Sequence, residues 1–330
     1  MTTSPPRPQG TRSHEGALHR LARRTHHRLL GAHATFARLQ ERVPRLVSVT
    51  RALFYPCALV LVAFMGYRAA RQTDFGSLHY WPLLAAYLFA LVWWVGLALG
   101  WACLVSDGEP GDVRRAVAGW CSSQVARYMP GGIWAVVARA ATVQGRIRDK
   151  LTAVTAENVI VLLVSLAVGG VWAGVHNWRW LPLALLVAAP LLASRWLQRR
   201  TQITRRRVRR TSASYAIAYV AYGVMAVLVQ IAVSGLRSPT HPLYVAGSAC
   251  VAWAVGLVVV FAPGGVGVRE VVYVWMLTGL YPRHELEAAA VTSRLVTVAA
   301  EITVLLVVSR MQSRQPHVVT LTAEQRRDTT

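Results

Sequence analysis

An arginine and a glutamate stand side by side within one of the most apolar stretches of the chain. Arg269 and Glu270 are preceded by four helix-breaking residues: Pro263, Gly264, Gly265 and Gly267. A broken helix exposes backbone N–H groups at the start of its second arm, and these groups favour an anion. A neighbouring guanidinium can bind a phosphate through two hydrogen bonds, and glycines let a ligand approach the backbone closely. The stretch therefore has the residue types of an anion-binding site.

A second break of the same composition lies 133 residues earlier. Its residues are Pro130, Gly131 and Gly132, with Arg127 and Arg139 on either side. The chemistry predicted for the later break applies here as well. The alternative is architectural. In that interpretation Pro-Gly-Gly only turns a hairpin, and Arg269 and Glu270 pair with their neighbours.

Three further ionisable residues, Glu157, Arg294 and Glu301, lie well inside apolar segments. Such residues are costly at membrane depth and usually face a bundle interior or a polar pathway. Arg294 and Glu301 are seven residues apart, so they share a helix face. They are predicted to take part in the same site. The alternative is that Glu157 and Arg294, or Arg294 and Glu301, neutralise each other as structural ion pairs.

The elements that must position these residues are membrane-spanning helices. Of the 330 residues, 54% are hydrophobic, and several apolar runs approach or exceed the roughly 20 residues that cross a bilayer. The chain is therefore predicted to be an all-α, polytopic transmembrane bundle. Six full spans are predicted, at residues 52–67, 81–105, 151–174, 178–194, 213–235 and 288–308.

Each Pro-Gly-Gly lies in a region that fits no simple span, 116–145 or 243–280. The arms around the first break have about 14 residues, or roughly 21 Å of helix, against a hydrocarbon core of roughly 30 Å. Broken backbone at that depth survives only when it is buried in protein or lines a cavity. Two re-entrant hairpins are predicted. The alternative is two tilted crossings, which gives eight spans.

The two halves of the chain, roughly 116–194 and 243–310, are predicted to form an inverted-topology repeat. "AVTAENV" (153–159) resembles "AVTSRLV" (290–296) at an offset of 137 residues, which sets Glu157 opposite Arg294. The intervening spans give the halves opposite membrane orientations. Many secondary transporters use such repeats to place a substrate site at the midplane.

Charge predicts the orientation. The net charge is +22, and its basic blocks, residues 7–51, 105–150 and 195–210, lie outside the predicted spans. Basic segments stay on the cytoplasmic side, so both termini are predicted to be cytoplasmic in a cell-membrane protein that binds no nucleic acid. Residues 1–45 are predicted to be a basic extension, first disordered and then an amphipathic helix on the membrane surface or simply a basic extension. Residues 46–310 form the membrane domain and 311–330 a tail.

Signatures of catalysis and metal binding are weak, so no enzyme activity, metal or cofactor is predicted. The "GGVG" stretch lacks the GxxxxGK[ST] pattern of a nucleotide loop and follows an apolar helix. No HExxH, DxD or paired-carboxylate motif occurs in the sequence. The alternative is a membrane-embedded transferase that uses Glu157, Glu270 or Glu301.

Four motifs together resemble the lysylphosphatidylglycerol synthase transmembrane region, or flippase-like domain family: "RYMPGGIW", the downstream Glu157, "PGGVGVRE" and "SRLVT". The resemblance covers about residues 50–310. It implies a domain that handles or translocates lipids, including aminoacylated phospholipids and polyprenyl-linked sugars. Bifunctional members add a soluble aminoacyl-transfer domain, which is not expected here because the chain ends some 20 residues past its last predicted span.

The sequence thus predicts a protein that binds or translocates an anionic lipid, a phospholipid or a polyprenyl-phosphate-linked lipid, through a polar intramembrane cavity. The expected partners are membrane lipids, with a second copy of the chain or an enzyme of lipid or cell-envelope synthesis as further candidates. The alternatives are a membrane enzyme acting on a lipid-linked substrate and an accessory membrane protein without transport activity.

Overall fold

A computed structural model describes residue 67, residues 79–106, 108–125, 134–143, 147–189, 203–235 and 241–259, residue 265, and residues 267–313. All of them belong to one compact unit, Phe54–Thr330. The described residues are almost entirely helical and contain no β-strand, in agreement with the all-α prediction. The α-helices are α1 (Tyr80–Val105), α2 (Pro110–Val125), α3 (Trp134–Ala141), α4 (Ile147–His176), α5 (Arg205–Val233), α6 (Pro242–Val258), α7 (Val268–Leu277) and α8 (Arg283–Ser313).

Four of these helices, α1, α4, α5 and α8, are long and apolar enough to cross a membrane. They contain 26 to 31 residues, or about 39–46 Å of helix, which exceeds a hydrocarbon core of about 30 Å. They confirm the spans predicted at 81–105, 151–174, 213–235 and 288–308 as membrane-length helices. The chain is therefore a multi-pass membrane protein.

The fourth predicted span, 178–194, does not form a membrane-length α-helix over its described part. Residues Trp178–Val187 form a 3-10 helix with Pro182 inside it. Proline lacks the N–H of the α-helical ladder, and its ring clashes with the preceding turn. Ten residues of 3-10 helix extend only about 20 Å. The segment lies along α4, where Gly170 leaves room for its Leu183 side chain.

The basic segment predicted as a connection, 195–210, is partly helical. Helix α5 begins at Arg205, eight residues before the predicted start of the span. The Thr204 side chain caps it by accepting a hydrogen bond from Arg207 N at 3.4 Å. A run of arginines therefore extends α5 beyond its apolar part, because arginine is a good helix former.

Helices α1 and α5 form a close antiparallel pair. Thr211 Oγ1 donates to Gly100 O at 3.0 Å, and Ser214 Oγ donates to Gly96 O at 2.8 Å. The two glycines are one helical turn apart and bring the backbones together. Small residues with interhelical hydrogen bonds are the usual way in which membrane helices associate, since lipid supplies no hydrophobic drive between them.

Three contacts show which helix ends meet. His79 N donates to Ala232 O at 3.5 Å, which joins the start of α1 to the end of α5. Ser234 Oγ donates to Glu285 Oε2 at 2.9 Å, which joins the end of α5 to the start of α8. The rings of His176 and His241 lie 4.2 Å apart, which joins the end of α4 to the start of α6. These residues define the histidine end of the bundle.

The opposite end, the basic end, is formed by the end of α1 and the starts of α2, α4 and α5. Its described residues include half of the arginines of the described chain: Arg114, Arg115, Arg205, Arg206, Arg207, Arg209 and Arg210. The two ends of the bundle therefore differ sharply in charge.

Short helices occur in two pairs that enter from opposite ends. The α2–α3 pair has 16 and 8 residues and is followed by α4 with 30. The α6–α7 pair has 17 and 10 residues and is followed by α8 with 31. The first pair begins and returns at the basic end, and the second does so at the histidine end. The number of crossings and the inverted repeat stay predictions.

Several predicted features lie outside the described residues. They are the span at 52–67 apart from residue 67, the extension at 1–45, the tail beyond residue 313, and the site residues Arg127, Pro130, Gly131, Gly132, Pro263 and Gly264.

Candidate functional site

A buried ion pair joins α3 to α4. Arg139 Nη1 donates to Glu157 Oε2 at 2.6 Å, and the two side chains are only 10% and 5% exposed. The sequence had offered Arg294 as the partner of Glu157, and that pairing is wrong. Arg139 and Glu157 are 18 residues apart in the chain, so the short α3 must fold back against α4 for them to meet.

Other groups complete the environment of this ion pair. Trp120 Nε1 donates to Glu157 Oε1 at 2.9 Å, and Arg139 Nε donates to Ser123 Oγ at 3.2 Å. The Arg139 guanidinium lies over the Trp120 ring at 5.4 Å and near the Trp101 ring at 5.8 Å. Both charges therefore have hydrogen-bonding partners and aromatic faces around them. We call these five residues the first cluster.

A cavity lies between α5, α6, α7 and α8. Its volume is about 30 Å³, enough for roughly two waters. Its polar and charged lining residues are Tyr222, Arg269, Glu270, Tyr273, Ser293, Arg294 and Thr297, and small alanines from α5, α6 and α8 complete the wall. We call the seven polar residues the second cluster.

Arg269 is held between the two helices of its hairpin. Its guanidinium lies 4.9 Å from the centre of the Trp253 ring on α6. A Cβ on Gly256 would overlap Arg269 Cγ, and one on Gly265 would lie 2.6 Å from Arg269 Nε. Gly265 also has φ +70°, a conformation that other residues rarely adopt. The last glycine of Pro-Gly-Gly thus makes room for the arginine.

Glu270 is the buried carboxylate of the second cluster. The residue is 5% exposed, and its Oε2 has no hydrogen-bond partner among the described residues. It lies in the first turn of α7, whose N-cap is Gly267 with φ +83°. A carboxylate oxygen without a donor at this depth indicates that water or a polar ligand belongs in the cavity.

A hydrogen-bond ladder leads from the cavity wall to the histidine end. Tyr273 Oη donates to Gln230 Oε1 at 3.3 Å, and Gln230 Nε2 donates to Ser234 Oγ at 3.1 Å. Ser234 then donates to Glu285. Gln230 is fully buried, so the ladder satisfies an amide that would otherwise be costly in the apolar interior.

Four tryptophans connect the two clusters. Trp94 on α1 lies 5.5 Å from Trp120, and its neighbour Trp93 lies 6.4 Å from Trp253, measured between ring centres. Trp93 and Trp94 are 5.2 Å apart. Because Trp120 carries Arg139 and Trp253 carries Arg269, an unbroken series of ring contacts joins the two arginines across α1.

The structure therefore divides the predicted site residues into two groups. Arg139 and Glu157 form an ion pair in the first cluster, whereas Arg269, Glu270 and Arg294 line one cavity. Glu301 is 3% exposed and lies two turns further along α8, outside the cavity lining.

Sequence reasoning missed the aromatic and hydroxyl groups of both clusters. One signal was present in the sequence: Trp120 and Trp253 each stand ten residues before the proline of a Pro-Gly-Gly. Gln230 was a second signal, since it is a lone amide within an apolar span.

Comparison of the chain with models of known protein families and with curated proteins finds no match. The family resemblance therefore rests on the quoted motifs alone.

Proposed function

We propose that this protein binds an anionic lipid by its phosphate in the cavity of the second cluster and moves that lipid across the membrane. The observation that carries the proposal is the charge of the cavity wall. Arg269 and Arg294 contribute two positive charges and Glu270 one negative charge. At low dielectric an excess positive charge strongly favours an anion, and the phosphate of a lipid is the anion that a membrane supplies.

The neutral groups of the cavity support the same ligand. Tyr222, Tyr273, Ser293 and Thr297 bring hydroxyl groups to the wall. Tyr273, Ser293 and Thr297 already donate to Gln230 Oε1, Ala290 O and Arg294 O. The Tyr222 hydroxyl therefore supports the ligand most directly, since a hydroxyl donates one hydrogen bond and can donate it to a phosphate oxygen. Arginine suits this role better than lysine, because its planar guanidinium matches two oxygens of one phosphate.

The size of the cavity limits what enters it. A cavity of about 30 Å³ admits no acyl chain, and it admits a phosphate group only when the lining side chains move apart. We therefore propose that the headgroup enters between the helices while the acyl chains stay in the surrounding lipid.

The opposed hairpins support movement as well as binding. Glu157 is ten residues from the start of α4, and Arg294 is eleven from the start of α8. Each therefore lies about 15–17 Å into its helix, counted from opposite ends of the bundle. Charged residues at mid-depth in two oppositely oriented halves are the arrangement that inverted-repeat transporters use for alternating access.

We propose that the basic end faces the cytoplasm of a cell membrane, by the positive-inside rule. A cysteine placed at Arg207 is then expected to react with a membrane-impermeant maleimide only from inside, and one placed at Arg283 only from outside. Labelling in the reverse sense would overturn the orientation.

Reconstitution into liposomes tests the function. We expect fluorescent phosphatidylglycerol to exchange between leaflets when the wild-type protein is present, as measured by dithionite quenching. Arg269→Gln is expected to slow exchange at least about tenfold, since one charge-assisted pair with phosphate contributes about 1.5–3 kcal/mol. Arg179→Gln, an exposed arginine at the start of the 3-10 helix, is the matched control and is expected to behave as wild type.

Two outcomes would contradict the proposal. If the folded wild-type protein neither binds nor exchanges phosphatidylglycerol, an accessory role is favoured. A covalently altered lipid, detected by mass spectrometry of the extracted liposomes, would favour the enzyme alternative.

A further inference from the structure

The two clusters are built on the same plan. Trp120 and Trp253 each precede a Pro-Gly-Gly by ten residues, and each carries the guanidinium of an arginine that follows the break. The ring-to-guanidinium distances are 5.4 Å for Arg139 and 4.9 Å for Arg269. In both halves a tryptophan on the longer arm of a hairpin therefore holds an arginine on the shorter arm.

The clusters differ in charge at one matched position. The alignment of residues 153–159 with residues 290–296 sets Glu157 opposite Arg294. In the first cluster the carboxylate of Glu157 therefore lies beside Arg139, the arginine held by Trp120. In the second cluster Arg294 lines the same cavity as Arg269, the arginine held by Trp253. The first cluster is neutral and compact, whereas the second cluster encloses a cavity with an excess positive charge.

We infer that the first cluster is a second oxyanion site and that the Glu157 carboxylate occupies the position of the ligand. The inference rests on the proposed function of the second cluster for its ligand class. The Glu157 oxygens accept hydrogen bonds from Arg139 Nη1 at 2.6 Å and from Trp120 Nε1 at 2.9 Å. A guanidinium N–H and an indole N–H are equally suited to two oxygens of one phosphate.

Glu157 then acts as a tethered inhibitor of its own site. A ligand attached to the protein is present at a high effective concentration, so a free anion competes with it poorly. The wild-type chain should therefore hold one anion, in the second cluster. Removal of the Glu157 carboxylate group should open the first cluster to a phosphate, supplied by a lipid headgroup or by the solvent.

The direct test is Glu157→Ala, which removes the carboxylate and vacates the position beside Arg139 and Trp120. Native mass spectrometry in detergent would count dihexanoyl phosphatidylglycerol molecules per chain. We expect one in wild type and two in E157A. Parallel titrations with inorganic phosphate and with glycerol 3-phosphate distinguish the sources: a second site filled by lipid alone identifies a headgroup site, and filling by all three identifies a general phosphate site.

Charge variants separate this inference from the proposed function. The double variant R139Q/E157A is expected to return to one bound lipid, because the cation of the first cluster is gone. Arg294→Glu places a further carboxylate in the second cluster and is expected to weaken binding there at least tenfold. One lipid in both wild type and E157A would overturn the inference alone. No lipid in wild type with one in E157A would overturn the proposed function alone.

Recovery during purification provides a second readout, in case E157A does not remain folded without an anionic lipid. Purification with phosphatidylglycerol is expected to recover more monodisperse E157A than purification with phosphatidylcholine, because an anion replaces the lost carboxylate. Wild-type recovery should differ less between the two lipids. Equal recovery of E157A in both lipids, or recovery in neither, would overturn the inference.

Discussion

Replacing Arg139 by methionine, Glu157 by glutamine, and both together tests how the first cluster is held. The two side chains are 10% and 5% exposed and form a hydrogen bond of 2.6 Å. Removing one partner leaves the other charge buried without its counter-ion. Breaking a buried ion pair in this way costs about 3–5 kcal/mol of unfolding free energy, whereas replacing both partners by groups of similar size is often nearly neutral.

The surroundings of the ion pair refine these values. E157Q keeps an oxygen for the Trp120 N–H, so we expect a loss of about 3 kcal/mol. R139M also loses the hydrogen bond to Ser123, about 1 kcal/mol, and the cation–π contact with Trp120, up to about 2 kcal/mol. Sulfur–aromatic contacts of the methionine offset about 0.3–1.5 kcal/mol of this loss. We therefore expect R139M to lose about 4–5 kcal/mol.

The double variant is expected to be more stable than either single variant, with a coupling energy of at least about 4 kcal/mol. The assay is titration of mixed micelles with sodium dodecyl sulfate, followed by tryptophan fluorescence. Anionic lipid is left out so that no ligand replaces the carboxylate. Arg179→Met, a change at an exposed arginine, is the control and should stay within about 0.5 kcal/mol of wild type. If the loss of unfolding free energy in the double variant equals the sum of the losses in the two single variants, the ion pair is refuted.

Two glycines give further predictions. Gly256→Ala is expected to weaken phosphatidylglycerol binding at least about tenfold, because its Cβ would overlap the Arg269 side chain and displace a charge-assisted hydrogen bond. Gly111→Ala, where nothing lies within 4 Å, should bind as wild type; equal affinities for both variants would contradict the assignment. Gly223→Ala would place a methyl group against the Trp172 ring and should cost about 1–3 kcal/mol of unfolding free energy in the same detergent titration. An unchanged value there would contradict the close packing of α4 on α5.

Hydropathy predicted the membrane helices well because the cost of exposing a polar backbone to lipid is a property of each segment by itself. Helices α1, α4, α5 and α8 all appear where apolar runs of membrane length occur. The span predicted at 178–194 is not an α-helix over most of its described part, for a local reason. Its composition is apolar enough for a crossing, but Pro182 lies inside the 3-10 helix that forms there, and an average of residue hydropathies contains no term for a missing N–H.

The position of the charged residues was also predictable, but their pairing was not. A sequence shows that Glu157, Glu270 and Glu301 must avoid lipid, and all three are at least 95% buried. It does not show which cation approaches each of them. The partner of Glu157 is set by how a short helix folds back on a long one, which is a property of tertiary packing.

The sequence by itself determined that the chain is a helical membrane protein with ionisable residues held away from lipid, because burial costs act residue by residue along the chain. Only the tertiary structure decided that Arg139 closes on Glu157 while Arg269, Glu270 and Arg294 surround a cavity. That division depends on glycine contacts, such as Gly256 against Arg269, and on the tryptophans of α1, Trp93 and Trp94. Such contacts arise only when distant segments meet, and their geometry is set by the fit of side chains across helices.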